Sequence, residues 1–205
     1  MSSLEEDYAR FRDLVGPLPR MATPHTWAEV ETALGLEFPV DYKMWAEEYP
    51  SLYLFKFLHL DNPLDFPVSV DLEIDVLAEV REVAEEFGRE ITGDDGSIVD
   101  HRPALPFYPA PGGLLFFGQS DNGDYCTFLT APDPREWEVV VTDGGSWWHS
   151  GRGFAAFLTG LLTGERPCPE FPEDLADHPS ARAAYTFMDA EGQGHVLWGD
   201  TRRIP

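Results

Sequence analysis

Apolar residues along this chain recur at two periods, and the switch between them predicts helices first, strands next and a helix to close. Leu4 to Val15 carries Tyr8, Phe11 and Val15 on one side of a charged helix, which GlyProLeuPro ends. From Trp27 to Lys43 the chain reads as two short helices around an elbow. Thr26 and Glu29 have capping-box spacing. Trp27, Val30 and Leu34 share a face, Gly35 suits a left-handed stop, and Pro39 suits a helix start. Tyr42, Trp45, Ala46 and Tyr49 form the second stripe, which Pro50 stops. Helices this short need an apolar surface to dock on.

Leu52 to Leu60 is a dense apolar and aromatic run. It reads as a central strand, although periodicity alone leaves a helix open. Asp75 is placed to cap a helix from Val76 to Phe87, buried through Leu77, Val80, Ala84 and Phe87 and ended by Gly88. GlyAspAspGly at 93–96 reads as a turn, and the Pro-rich segment 101–113 as a surface crossing. Leu114–Phe117, Tyr125–Thr130 and Trp137–Thr142 read as strands of an antiparallel meander, with AsnGly at 122–123 as its hairpin signal. Gly153 to Thr163 predicts an amphipathic helix through Phe154, Phe157, Leu158 and Leu161. The fold class is therefore α+β: a mostly antiparallel sheet, with the meander at 114–142, flanked by helices. Residues 1–21 form a helical lead-in, 22–165 the domain, and 166–205 an extension packed on the core or on a partner.

Two parts of this pattern resemble the SUKH superfamily. The first is Trp27, Val30, Glu31, Leu34, Gly35, Phe38, Pro39, Asp41, Tyr42 and Lys43. The second is LeuLeuPhePheGly at 114–118, AsnGlyAspTyr at 122–125 and PheAlaAlaPheLeu at 154–158. One departure stands out: where the family commonly has a Gly-rich turn, this chain has ProSerLeuTyrLeuPheLysPheLeu. Members include fungal regulators of cell-wall synthesis and bacterial immunity proteins of polymorphic toxin systems. The resemblance implies a protein-binding domain without catalysis. Its partner would be a toxin domain, typically a basic nuclease or another nucleic-acid-targeting enzyme. A regulatory scaffold of the fungal kind is the alternative.

Charge sharpens that expectation. The chain has 37 acidic against 14 basic residues, a formal net charge of -23. Such a field repels nucleic acid and anionic membranes and speeds encounter with a basic protein. Solubility alone is the competing explanation. The hydrophobic fraction of 43% supports a folded core rather than an acidic tail. The N-terminus lacks an apolar signal core and no apolar run is long enough to span a bilayer, so the expected location is cytoplasmic. Cys126 and Cys168 make neither a CxxC pair nor a disulfide framework.

Catalytic patterns fit poorly. The six histidines are scattered, and no metal or cofactor is expected. GlyArgGlyPheAlaAla at 151–156 matches a loose phosphate-loop pattern but has no βαβ unit around it. GlyGlnSerAspAsn at 118–122 misses the nucleophile elbow at its last position, so Ser120 reads as a turn residue. AspAsnGlyAspTyr at 121–125 lacks the later ligands of a calcium loop. A small-ligand enzyme assembled from distant residues is the third reading. Asp61, Asp65, Asp94, Asp95, Asp121 and Asp124 are the candidate partner-facing acids, because they fall in predicted loops and turns. Trp147 and Trp148 would point to opposite faces of a strand, one into the core and Trp148 available as an interface anchor.

Overall fold

Three helices open the chain where the apolar spacing places them. The computed structural model describes residues 3–92, 97–177, 179–188 and 194–204. In it α1 spans Leu4–Val15, α2 Trp27–Leu34 and α3 Val40–Glu48. Ser3 with Glu6 and Thr26 with Glu29 close capping boxes, and Gly35 ends α2 at φ 66° and ψ 29°. Tyr8, Phe11, Val15, Val30, Leu34, Tyr42, Trp45, Ala46 and Tyr49 are buried, while Trp27 is half-buried against Phe38 and Tyr42.

The apolar run at 52–60 is two strands, not one. β1 (Ser51–Leu54) and β2 (Leu58–Leu60) pair antiparallel around a turn closed by the Phe57 amide on the Leu54 carbonyl at 2.9 Å. Phe55 and Lys56 hold that turn with φ of 59° and 56°. Two successive left-handed residues suit the right-handed twist of a hairpin, but side chains make them costly. No glycine marks this turn, which is why its apolar sequence reads as continuous.

The next helix also starts elsewhere. The Ser69 hydroxyl accepts the Leu72 amide at 3.2 Å and begins α4 (Val70–Val76), so Asp75 lies in a last turn instead of at a cap. α5 follows over Ala78–Phe87 and stops at Gly88; Leu77, Val80 and Ala84 are buried but Phe87 is 50% exposed. β3 (Arg89–Thr92) and β4 (Ile98–Arg102) form a separate two-stranded ribbon, and the turn expected at 93–96 falls outside the described residues. The segment read as a surface crossing is anchored: Phe107 and Tyr108 are buried, and the Tyr108 hydroxyl donates to the Leu34 carbonyl.

The meander is β5 (Leu114–Ser120), β6 (Tyr125–Leu129), β7 (Glu138–Thr142) and one further strand, β8 (Trp147–His149). α6 (Phe154–Thr163) is not amphipathic but buried nearly all round, because α1, α3 and β7 surround it. In the tail, β9 (Ser180–Met188) and β10 (Gly194–Arg203) form a hairpin that joins the free edge of β1, with Ser51 opposite Ala184 and Leu54 opposite Ala181. The result is an eight-stranded sheet in the order β10-β9-β1-β2-β5-β6-β7-β8, antiparallel throughout.

Alternation along the strands gives the sheet two unlike faces. One face, with Leu52, Leu54, Leu58, Leu60, Leu115, Phe128, Val139 and Val141, packs into the main core with α1, α3 and α6. Among the described residues, the other face is covered over β5 to β8, where Leu77, Val80 and Ala84 of α5 meet Leu114, Val140, Trp147 and Phe107. Gly144 allows that approach: at φ 97°, a Cβ there would come within 2.8 Å of Val83 and 3.0 Å of the Val80 carbonyl.

The β1–β2 turn yields a stability test. Lys56→Gly relieves one left-handed side chain at an exposed position, and about 1 kcal/mol of the strain outweighs the added freedom of the unfolded chain. A higher denaturation midpoint at unchanged m-value is expected. A midpoint lowered by the substitution contradicts a strained turn.

Candidate protein-binding face and an acidic cleft

The uncovered half of the second sheet face carries a row of polar and aromatic side chains. Register places Thr201, Arg182, Tyr53, His59, Gln119 and Tyr125 opposite one another across β10, β9, β1, β2, β5 and β6. Five inter-strand steps make this row roughly 24 Å long. His59 stacks on Tyr53 with ring centroids 4.2 Å apart, and Trp198 lies 5.5 Å from Tyr53. The Arg182 guanidinium sits over the Trp198 ring at 5.0 Å and its Nε donates to the Gly199 carbonyl at 2.8 Å. The β9–β10 register shifts between Trp198 and Thr201, so Gly199 lies within a bulge-like irregularity.

Asp121 organises the centre. Its Oδ2 accepts the Tyr53 hydroxyl at 2.6 Å and its Oδ1 lies 3.0 Å from His59 Nε2. Burial and this hydrogen bond push the Tyr53 phenol up to about 12, so it remains a donor at neutral pH. Beyond Tyr125 rises the acidic wall of α5, whose Glu79, Glu82, Glu85 and Glu86 are exposed. Glu79 is near enough to help raise the Tyr125 phenol, after burial. Aromatic rings on the floor and carboxylates on α5 give this face two chemically distinct zones.

The candidate acids occupy different environments. Asp121 is on the floor. Asp65 is engaged internally: Oδ1 pairs with Arg20 Nη1 at 3.0 Å and Oδ2 accepts the Ser51 amide at 3.1 Å. Asp124 is buried and accepts the Ser120 hydroxyl at 2.6 Å. Asp94 and Asp95 lie outside the described residues. Loop placement thus holds for the described candidates, but solvent exposure holds for Asp121 alone. Trp147 and Trp148 do point to opposite faces. Trp147 packs under α5, while Trp148 is half-buried against Phe157, with ring centroids 6.1 Å apart.

Asp61 lines a cleft of about 270 Å³ between α4 and the 61–68 loop. Its walls include Phe38, Tyr42, Phe116, Phe117, Leu72 and Val76, and its second carboxylate is Glu73. Glu73 Oε2 accepts the Phe116 amide at 3.2 Å. The Tyr42 hydroxyl donates to the Asp61 carbonyl at 3.1 Å, and the Asp61 carboxylate has no hydrogen-bond partner among the described residues. Burial pushes Asp61 up to about 6; burial and then the Asp61 charge push Glu73 up to about 7. Buried Asn62 secures the loop, donating to the Ala46 and Tyr49 carbonyls at 2.8 and 2.7 Å and accepting the Leu64 amide at 2.8 Å.

The catalytic patterns resolve into turns and caps. Ser120 Oγ also accepts the amides of Asn122 and Asp124 at 3.2 and 3.0 Å, closing the β5–β6 hairpin. The phosphate-loop match at 151–156 opens α6, but the Asp41 carboxylate already fills that helix N-terminus, accepting the Ala155 amide at 2.9 Å. Among the described residues no group of three or more His, Cys, Asp or Glu could hold a metal ion, and no helix is long and apolar enough to cross a membrane.

Tyr53, His59, Arg182 and Trp198 are absent from the candidates drawn from sequence. LeuTyrLeu and LeuHisLeu carried the signal, since period-two alternation turns Tyr53 and His59 away from their buried leucine neighbours. The model of the SMI1 / KNR4 family (SUKH-1) matches residues 21–160. Comparison with curated proteins and with solved structures returned no significant match.

The cleft predicts an inverted pH dependence. Asp61 and Glu73 hold protons more tightly folded than unfolded, so stability is lost as pH rises through about 6 and about 7 and is recovered on acidification. The thermal midpoint should rise from pH 8 to pH 5. Asp61→Asn with Glu73→Gln should make the profile shallower, leaving the part that Asp41, which burial also raises to about 6, contributes in the same direction; parallel profiles for the two proteins would rule out the cleft as a source.

Proposed function

The chain belongs to the SMI1/KNR4 family (SUKH-1), and from that premise we propose that it is a non-enzymatic immunity-type module that binds and neutralises a basic toxin domain. The observation that carries this reading is the open sheet face, where Trp198, Tyr53 and His59 form an aromatic floor beside the acidic wall of α5. Buried aromatics at an interface centre supply most of the affinity, while peripheral charge governs approach and salt dependence. The formal net charge of -23 favours a basic protein over nucleic acid or membrane. A nuclease is the natural toxin class, because carboxylates on this chain would occupy the place of substrate phosphates. Cytoplasmic residence accords with that role.

Growth rescue tests the proposal. Co-expression of this chain with its basic toxin domain should restore growth, and the purified pair should associate more weakly as salt rises. Tyr53→Ala with Trp198→Ala should reduce affinity by at least a hundredfold, consistent with about 3 kcal/mol from two hot-spot aromatics. Since both residues are on the open face, the variant should unfold close to the parent's midpoint. Full rescue by this well-folded variant would place the interface elsewhere.

A further inference from the structure

The cleft between α4 and the 61–68 loop has an imbalance that the sheet face does not explain. Glu73 is only 6% exposed and lines the cleft, and its Oε1 has no hydrogen-bond partner among the described residues. Asp61 lines the same space with a second carboxylate that has no such partner. No lysine or arginine lines the cleft. Two carboxylates among aromatic walls, without a counter-charge, are costly to desolvate and repel each other.

The chemistry of the walls selects what could complete this arrangement. Anions are repelled. A hard metal ion needs about six oxygen ligands, and the cleft supplies two carboxylates. A neutral apolar molecule would suit Phe38, Phe116 and Phe117 but would leave both carboxylates stranded. An organic cation satisfies all parts: its charge pairs with Asp61 and Glu73, and its stem lies on rings that also attract cations. The volume of about 270 Å³ is below the 300–1,000 Å³ usual for drug-sized ligands, so the fit is to a side chain or a small amine.

We propose that this cleft is a receptor for a single ammonium or guanidinium group on an apolar stem, supplied by a lysine or arginine side chain of the docked protein. The side-chain source rests on the protein-binding reading above; the preference for an organic cation does not. The Asp61 amide donates to the Phe117 carbonyl at 3.0 Å and extends the β2–β5 ladder. Asp61 therefore follows His59 on the same face, roughly 7 Å further along the chain. A partner seated on the aromatic floor is within side-chain reach of the cleft.

Titrations of the full chain with n-hexylammonium, n-butylguanidinium, 1-hexanol and a capped Gly-Gly-Arg-Gly-Gly peptide, followed by NMR at pH 8, test this without any toxin. The two cations should bind saturably and at least tenfold more tightly than hexanol, shifting resonances of Phe116 and Tyr42. Glu73→Gln and Asp61→Asn should each abolish that preference, as should pH 5, where both carboxyls are protonated. Glu73→Gln removes a buried charge and keeps the side-chain shape, so the variant should fold. Peptide binding that is lost in Glu73→Gln assigns the cation to a protein side chain; binding of the free amines alone assigns it to a small metabolite-like amine. Equal binding of hexanol and hexylammonium, or cation binding indifferent to both substitutions, overturns the proposal. That result would leave the aromatic floor, and the rescue experiment that tests it, unaffected.

Discussion

The layers of this protein depend on the Asp41 carboxylate, which is wholly buried at the first turn of α6. α6 begins at Gly153, which offers no capping side chain, so its free amides must be met from elsewhere. Asp41 supplies the acceptor from α3, with Oδ2 on the Ala155 amide at 2.9 Å and Oδ1 on its neighbour Tyr42's amide at 3.0 Å. Burial pushes this carboxyl up to about 6, and those amides act in the opposite direction. The next residue completes the joint. The Tyr42 ring contacts Phe154 at 4.8 Å, Phe128 at 5.0 Å and Trp45 at 5.3 Å, and its hydroxyl holds the loop at Asp61. Lys43 then pairs with Glu31 at 2.5 Å, and Glu31 accepts the Phe38 amide at 3.0 Å, fixing the elbow between α2 and α3. The Asp-Tyr-Lys run thus joins two helices, the sheet and a loop through three different interactions.

With one sheet face committed to that joint, the open floor follows from dimensions. Eight strands span roughly 34 Å across the sheet, whereas a ten-residue helix such as α5 is about 15 Å long. α5 and Phe107 cover β5 to β8, and the tail hairpin extends the sheet further on the opposite side. The tail is therefore part of the candidate site, since it supplies Arg182 and Trp198. It lies outside the family match: residues 21–160 include β1, β2 and the meander but neither tail strand.

Local signals were legible in the sequence and tertiary ones were not. The capping box at Thr26–Glu29, the Gly35 stop and the AsnGly hairpin each act within a few residues, so sequence order alone identifies them. The 51–60 hairpin escaped because Phe55 and Lys56 take conformations usually reserved for glycine or asparagine. Asp75 reads as a cap because α4, which Ser69 caps, is a less obviously periodic segment, while α5 itself begins after Leu77 without a side-chain cap. For the candidate site, loop membership was readable for Asp61, Asp65, Asp121 and Asp124, but burial depends on what packs over each loop. Arg20 reaches Asp65 across 45 residues, and Tyr53 meets Trp198 from opposite ends of the domain. No spacing rule spans such distances.

Acidic residues on this chain do two kinds of work, and their placement separates them. Glu79, Glu82 and Glu86 recur at three- and four-residue steps on α5, where like charges destabilise a helix by about 0.2–0.5 kcal/mol per pair. Asp61 and Glu73 are costly through desolvation instead. Neither arrangement helps the isolated domain fold, and both border the same incompletely covered sheet face. Exposed carboxylates act at long range, over about a Debye length of 8 Å at physiological salt, and change how fast a basic protein arrives. Cleft carboxylates are screened far less and act only on a cation that enters. A surface with both would capture by field and discriminate by contact, so an increase in salt should slow association while leaving the cleft's selectivity for cations largely intact.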